Sequence, residues 1–218
     1  MTDVVLRPYE AADRPAVRRI CHVTGYMGGP AAWYWRDAAS FADLFTGYYT
    51  DEEPGSASVC EIDGDVAGYL LGCADSRTVT DPARVFGRSL LRRALVVRPG
   101  TAGFVWRSIG DAVAAGVRRQ QLPPSSVVDA RWPAHLHVDL LPVARGRGVG
   151  ASLVRHWLER LRSASVAGCH LQTLSENTTA LSFFEAMGFT REGDAVLVPG
   201  LRTPDGGRHH VQLMVQPL

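Results

Sequence analysis

Residues 135–161, HLHVDLLPVARGRGVGASLVRHWLERL, join an alternating strand to a glycine-rich turn and the turn to an amphipathic helix. No other stretch constrains the fold as much. Apolar and polar residues alternate over about residues 134–141, which predicts a strand, and Pro142 ends it. Leu153, Val154, Trp157, Leu158 and Leu161 recur at helical spacing, which predicts a helix over about residues 149–162. The turn between them reads Arg145-Gly146-Arg147-Gly148-Val149-Gly150. Several backbone N–H groups there can face one anion, and the helix N-terminus behind them adds its partial positive charge. A pyrophosphate on a large cofactor is the anion such a turn is expected to take.

The surrounding pattern is mixed α/β. With 218 residues, 46% of them hydrophobic, the chain can bury a full core, and one domain over residues 1–218 is expected. A first strand is predicted at about residues 3–7, a helix capped by Asp13 to about residue 22, and a second helix capped by Asp37 to about residue 45. A hairpin turning at Asp63-Gly64 joins strands at about residues 58–62 and 66–73. Two helical stretches near residues 81–95 and 104–119 then form an insertion at about residues 76–128, covering a face or an end of the sheet. Beyond the central helix come a strand at about residues 168–173, a short helix near residues 178–187 and a final antiparallel pair.

The formal net charge of +1 gives no reason to expect nucleic-acid or membrane partners. All 23 basic residues are arginine, so no lysine side chain can act as base or Schiff-base former. Cys21, Cys60, Cys73 and Cys169 have no paired spacing, the N-terminus has no apolar signal core, and a reduced cytoplasmic protein with buried thiols is expected. His135 and His137 alternate on the strand without a Cys/His ligand set, so no metal site is expected.

The kind of cofactor follows from what accompanies the turn. A dinucleotide-binding unit places an acidic residue at the end of the next strand to hold the ribose. Here that strand, GCHLQTLS, ends without one, and Glu176 is a poor substitute. A phosphate-binding loop of the Walker type needs a lysine, which the chain lacks. The turn instead matches Arg/Gln-x-x-Gly-x-Gly/Ala, and 27 residues after Gly150 comes Asn177-x-x-Ala180-x-x-Phe183-Phe184-x-x-x-Gly188-Phe189. Together, in this order, the two motifs resemble the GCN5-related N-acetyltransferase (GNAT) family. The segments LRPYEAADRPAVRRIC, GYLLGCADSR and RWPAHLHVDLLP are in addition similar to the acetyltransferase-like domain of O-GlcNAcase and its free-standing bacterial relatives.

The resemblance implies a GNAT fold: a mixed, mostly antiparallel central sheet flanked by helices, with the helical insertion ahead of the central cofactor-binding strand. It implies acetyl-CoA as co-substrate and direct acetyl transfer to an amine of a small molecule or a protein. Coenzyme A pyrophosphate would sit on the turn from Arg145 through Gly146, Arg147, Gly148, Val149 and Gly150 to Ala151. The pantetheine arm would lie where two strands splay apart, against Val138, Leu140, Leu141 and Val143, with a backbone N–H near Leu140 polarising the thioester carbonyl. Asn177 would cap its helix and touch the cofactor. Phe184 stands where many members carry a tyrosine that protonates the departing thiolate. An alkyl thiol leaves tolerably near neutral pH, its pKa being about 8.5, so this departure predicts a slower enzyme; it also supports the alternative of an acetyl-CoA-binding pseudoenzyme or regulatory domain.

An amine acceptor must lose a proton before it attacks. Alternation puts His135, His137 and Asp139 on one face of the strand and Leu136, Val138 and Leu140 on the other. Polar groups in a central strand are costly unless they face water, each other or a site, which makes Asp139 and His137 the candidates for base or proton relay and His135 a more distant wall residue. Trp33, Tyr34 and Trp35 are candidate acceptor-site aromatics, with core packing as the competing role. No acidic stripe marks a polyamine or lysine-tail acceptor.

Overall fold

The computed structural model describes residues 4–124 and 126–218; the start of the first predicted strand, Asp3, lies outside them. Its elements in chain order are β1 (Val4–Pro8), α1 (Arg14–Thr24), α2 (Ala38–Asp51), β2 (Ala57–Ile62), β3 (Asp65–Cys73), α3 (Pro82–Arg92) and α4 (Ala102–Arg118). The second half follows with β4 (Ala134–Leu140), α5 (Val149–Ser163), β5 (Gly168–Leu174), α6 (Thr178–Ala186), β6 (Thr190–Arg202) and β7 (Arg208–Pro217). The strands form one seven-stranded sheet in the order β1-β2-β3-β4-β5-β7-β6. Every neighbouring pair is antiparallel except β4 and β5.

Local chemistry sets the element boundaries. Asp63 and Gly64, at φ 52° and 86°, make the tight β2–β3 turn whose twist matches the strands it joins. The Asp37 carboxylate accepts from the Ser40 N–H at 2.8 Å and caps α2. That helix runs six residues beyond its expected end near Phe45, because Tyr48 and Tyr49 anchor its last turn on Thr78 and His135. Asp13 does not cap α1 through its side chain. Its carboxylate is taken by the Arg7 guanidinium, at 2.7 Å on both oxygens, and by the Glu10 N–H.

Two cores lie on the two faces of the sheet. One packs Leu153, Val154, Trp157 and Leu158 of α5, with Leu181 and Phe184 of α6, against Leu136, Leu70 and Leu171. The other packs Val17 and Ile20 of α1 and Phe41 of α2 against Val59, Tyr69 and Leu71. The insertion between β3 and β4 closes that second face. Phe86 and Phe104 meet the Trp35 ring at 5.6 and 5.2 Å. Helix α4 is tied to β6 by the buried Asp111, which accepts from the Gly200 N–H and pairs with Arg202. All four cysteines are free and buried. Among the described residues no helix is long and apolar enough to cross a membrane.

Candidate functional site

Strands β4 and β5 pair only at Ala134↔Cys169 and His135↔His170, then separate toward their C-terminal ends. The free edge of β4 follows from its register with β3. Leu141 N–H donates to Ala67 O, so the odd-numbered residues of β4 turn their backbone groups to β3, and Leu136, Val138 and Leu140 turn theirs into the gap. Leu141, expected to meet the cofactor, has its own N–H turned away for this reason. Val143 follows in a short turn of helix with its side chain half exposed.

At the wide end of the gap stands the glycine turn. Gly146 and Gly148 have φ of 69° and 75°, a left-handed conformation that costs a residue with a Cβ about 1–2 kcal/mol. This conformation sets Gly148 as the N-cap of α5. Ser152 is the first helix residue whose N–H reaches back, to Gly148 O at 3.0 Å. Among the described residues no backbone acceptor takes the N–H groups of Gly146, Arg147, Gly148, Val149, Gly150 or Ala151, which leaves them for an anion. Arg145 is different: its N–H goes to Pro142 O, and its guanidinium donates to Leu140 O at 2.8 and 3.0 Å and to Gly28 O at 2.6 Å. Arg145 therefore ties the turn to β4 and to the loop after α1 through Nε and Nη2. Asn177 caps α6 by accepting from the Ala180 N–H at 3.2 Å, and it lines the cavity described below. Phe184 is buried edge-on between Phe183 and Phe189.

His137 and Asp139 come together on the opposite face of β4, with His137 Nε2 2.9 Å from Asp139 Oδ2. A third residue joins them that the sequence pattern did not single out. Tyr69, fully buried and directly across the β3–β4 ladder from Asp139, donates its hydroxyl to the same Oδ2 at 2.6 Å. Burial, then the Asp139 charge, raises the Tyr69 hydroxyl well above the usual phenol range, so it stays a donor. Since the carboxylate accepts, Nε2 of His137 carries a hydrogen, and the tautomer with that hydrogen presents Nδ1 as its lone pair. The one available signal was a lone polar ring in the apolar run of β3, YLLGC.

His135 points the same way but is fully engaged. Ser76 donates to Pro133 O at 2.8 Å, His135 Nδ1–H donates to Ser76 Oγ at 2.7 Å, and Nε2 accepts from the Tyr49 hydroxyl at 2.7 Å. Burial, then the neighbouring His170, pushes His135 down to about 4. A histidine held neutral by the fold stabilises it fully above its unfolded pKa of about 6.5, and that stability is lost as pH falls toward 4, where the unfolded chain binds the extra proton. The fall is expected to be on the order of 3 kcal/mol. Urea unfolding at pH 7 and at pH 4.5 should show the wild type losing more stability than His135→Gln; equal losses would remove His135 as the source.

The aromatic run 33–35 divides. Trp35 is core, its indole N–H donating to Ser40 Oγ at 2.8 Å; Tyr34 is buried, and Trp33 stands half exposed, edge-on to Tyr26. Only Tyr34 and Trp35 border the cavity, and both do so from the core. Thus no aromatic wall of three forms. Tyr26 itself donates to, or accepts from, His209 Nε2 at 2.9 Å, and His209 Nδ1 meets Glu176 at 3.0 Å. Burial raises the Glu176 carboxyl, but hydrogen bonds from His209, its own backbone and His210 outweigh that and hold it at about 2. The loop after α1 thus straps Arg145, beyond β4, to β7 across the splayed strands.

The His137–Asp139 pair, Val138, Asn177 and Phe184 border one cavity of about 1100 Å³, and the glycine turn is not part of its lining. It extends from Asn177 and Phe184, through His137, Val138 and Asp139, to the facing sides of α2 and α3. The arrangement offers free backbone donors for an anion, an open strand edge for an extended chain, and an oriented histidine beside it.

Residues 105–191 match the model of the acetyltransferase (GNAT) domain. Among solved structures, SsHAT is 27% identical, with a TM-score of 0.64 over 99% of this chain and 98% of that one. The putative acetyltransferase yncA from Salmonella typhimurium, solved with its cofactor acetyl-CoA, is 15% identical, with a TM-score of 0.56 over 99% and 94%. A Drosophila melanogaster polyamine N-acetyltransferase, which forms N-acetylagmatine, is 16% identical, with a TM-score of 0.58 over 99% and 100%.

Proposed function

We propose, for a chain that carries a GNAT acetyltransferase domain, that it moves an acetyl group from acetyl-CoA directly to an amine within one ternary complex. The observation that carries this reading is the cavity in which the open β4 edge and the His137–Asp139 pair face one space. Acetyl-CoA supplies the acetyl group as a thioester. Its pyrophosphate fits the free N–H groups from Gly146 to Ala151, and its pantetheine arm fits the gap-facing backbone of Val138 and Leu140, with Asn177 alongside. Bringing amine and thioester together in one cleft lowers the entropic part of the barrier. His137 takes the amine proton at Nδ1, while Asp139, held by Tyr69, fixes the ring and stabilises its charged form.

Phe184 supports a second reading, binding without turnover, because its ring offers no proton to the departing thiolate. The two readings separate in one assay. Thiol release from acetyl-CoA across a panel of amines is the expected result; tight acetyl-CoA binding with no release on any amine would favour the second, and no binding would end both. We place the protein in a single domain with a helical insertion, and its four buried free thiols fit a reducing compartment such as the cytoplasm. The acceptor is a small-molecule or protein amine.

A further inference from the structure

We propose that the acceptor is an amine that also carries an anionic group, a carboxylate or a phosphate, and that Arg88 and Arg92 of α3 receive that group. The inference rests on the acetyl-transfer reading of the same cavity and narrows its substrate class.

The far wall of the cavity is built by α2 and α3. Helix α3 has the sequence PARVFGRSLLR, without an acidic residue. Arg88 and Arg92 are four residues apart, so they stand on one face, and both line the cavity. Among the described residues neither pairs with a carboxylate. The carboxylates across from them are already engaged. Asp43 pairs with Arg18 at 2.6 Å and with Arg93 at 3.6 Å, and Asp51 pairs with Arg14 at 2.7 Å. Glu52 accepts from the Thr80 hydroxyl at 3.1 Å. Asp139, toward the strand, is held by Tyr69 and His137. The wall therefore leaves two guanidiniums against the single carboxylate of Glu52.

Guanidinium groups are suited to carboxylate and phosphate because their planar donor forks make short, charge-assisted bonds to paired oxygens. A polyamine would bring further positive charge against the same wall, and like charge at close range selects against it. An acceptor with its anion at α3 and its amine toward β4 meets a complementary charge at one end and the His137 lone pair at the other. The cavity is large enough for such a molecule beside the cofactor arm.

Matched pairs of amines isolate the anion: γ-aminobutyrate against butylamine for a carboxylate, and glucosamine 6-phosphate against glucosamine for a phosphate, with spermidine as the cationic reference. Calorimetry on the full chain saturated with acetyl-CoA, and thiol release in parallel, read binding and turnover separately. At least one amine carrying an anionic group should bind at least about tenfold more tightly than its partner lacking that group. The double variant R88Q/R92Q should erase that difference and leave acetyl-CoA affinity within about twofold. Amines with and without the anionic group binding alike, or spermidine binding best, would overturn the proposal even if acetyl transfer proceeds. An anion preference that persists in R88Q/R92Q would also overturn it. If acetyl-CoA does not bind at all, it is the acetyl-transfer reading that fails, and the calorimetry on the free protein still decides whether Arg88 and Arg92 take the anion.

Discussion

Replacing His137 by glutamine is expected to lower kcat by about 10²–10⁴-fold, the usual worth of a positioned general base, while acetyl-CoA affinity stays within about twofold. The reason is geometric: His137 lies on a side-chain face of β4, whereas the cofactor contacts proposed above come from the strand's backbone edge and the turn. Asp139→Asn should cost about 10²-fold by the same route. An amide in place of the carboxylate no longer enforces a hydrogen on Nε2, and it withdraws the charge that stabilises the protonated ring. Tyr69→Phe removes one of two donors on Asp139 Oδ2 without touching the acceptor, so it should lower kcat less and move the acid limb of the pH–rate profile. The readouts are steady-state thiol release and the pH dependence of kcat. Full activity in His137→Gln would exclude the proposed base; a parallel loss of acetyl-CoA binding would point to a structural role.

Gly148→Val is expected to weaken acetyl-CoA binding by at least about 100-fold. Gly148 sits at φ 75°, where a β-branched residue is a steric outlier. The turn would have to leave that conformation, and the N–H groups of Val149, Gly150 and Ala151 would no longer converge. The His137–Asp139 pair lies outside the turn, so kcat at saturating acetyl-CoA should recover to within a few-fold of wild type. Calorimetry gives the affinity, and an unchanged far-ultraviolet circular dichroism spectrum shows that the fold is retained. Wild-type affinity in this variant would mean that the anion is held elsewhere.

Much of this site is legible along the chain because its parts are local. The glycine turn and the helix behind it occupy consecutive residues, so left-handed glycines followed by free N–H groups can be read from spacing alone. The period of a strand puts His137 and Asp139 side by side wherever that strand ends up. Asn177 announces a helix start by its own side chain. The direction of Arg145 is not local: its guanidinium goes to Leu140 O and to Gly28 O, 117 positions away. An arginine beside a glycine turn carries no local sign of the distant loop carbonyl that it meets.

The run 33–35 shows the same boundary from the other direction. Three aromatic residues in a row look like a wall, yet helix and loop geometry sends Trp35 into the core against Phe86 and Phe104 and leaves Trp33 outside. Their fate depends on the insertion, which only tertiary packing brings over them. Tyr69 likewise gains its role from the β3–β4 register, which pairs it with Asp139 across 70 positions. His135 loses its freedom to Tyr49 and Ser76, residues of two other elements.

By itself, then, the sequence determined the strand–turn–helix unit, its run of free backbone N–H groups and the polar face of β4, since short-range sterics and periodicity govern all three. Tertiary structure decided which of those polar groups is free to act. It placed the Tyr69 hydroxyl on Asp139, turned Arg145 toward Gly28, engaged His135 with Tyr49 and Ser76, and brought Arg88 and Arg92 to the cavity wall. Those outcomes depend on hydrogen bonds and charges that meet only when distant segments are packed together, and no local pattern encodes which partner arrives.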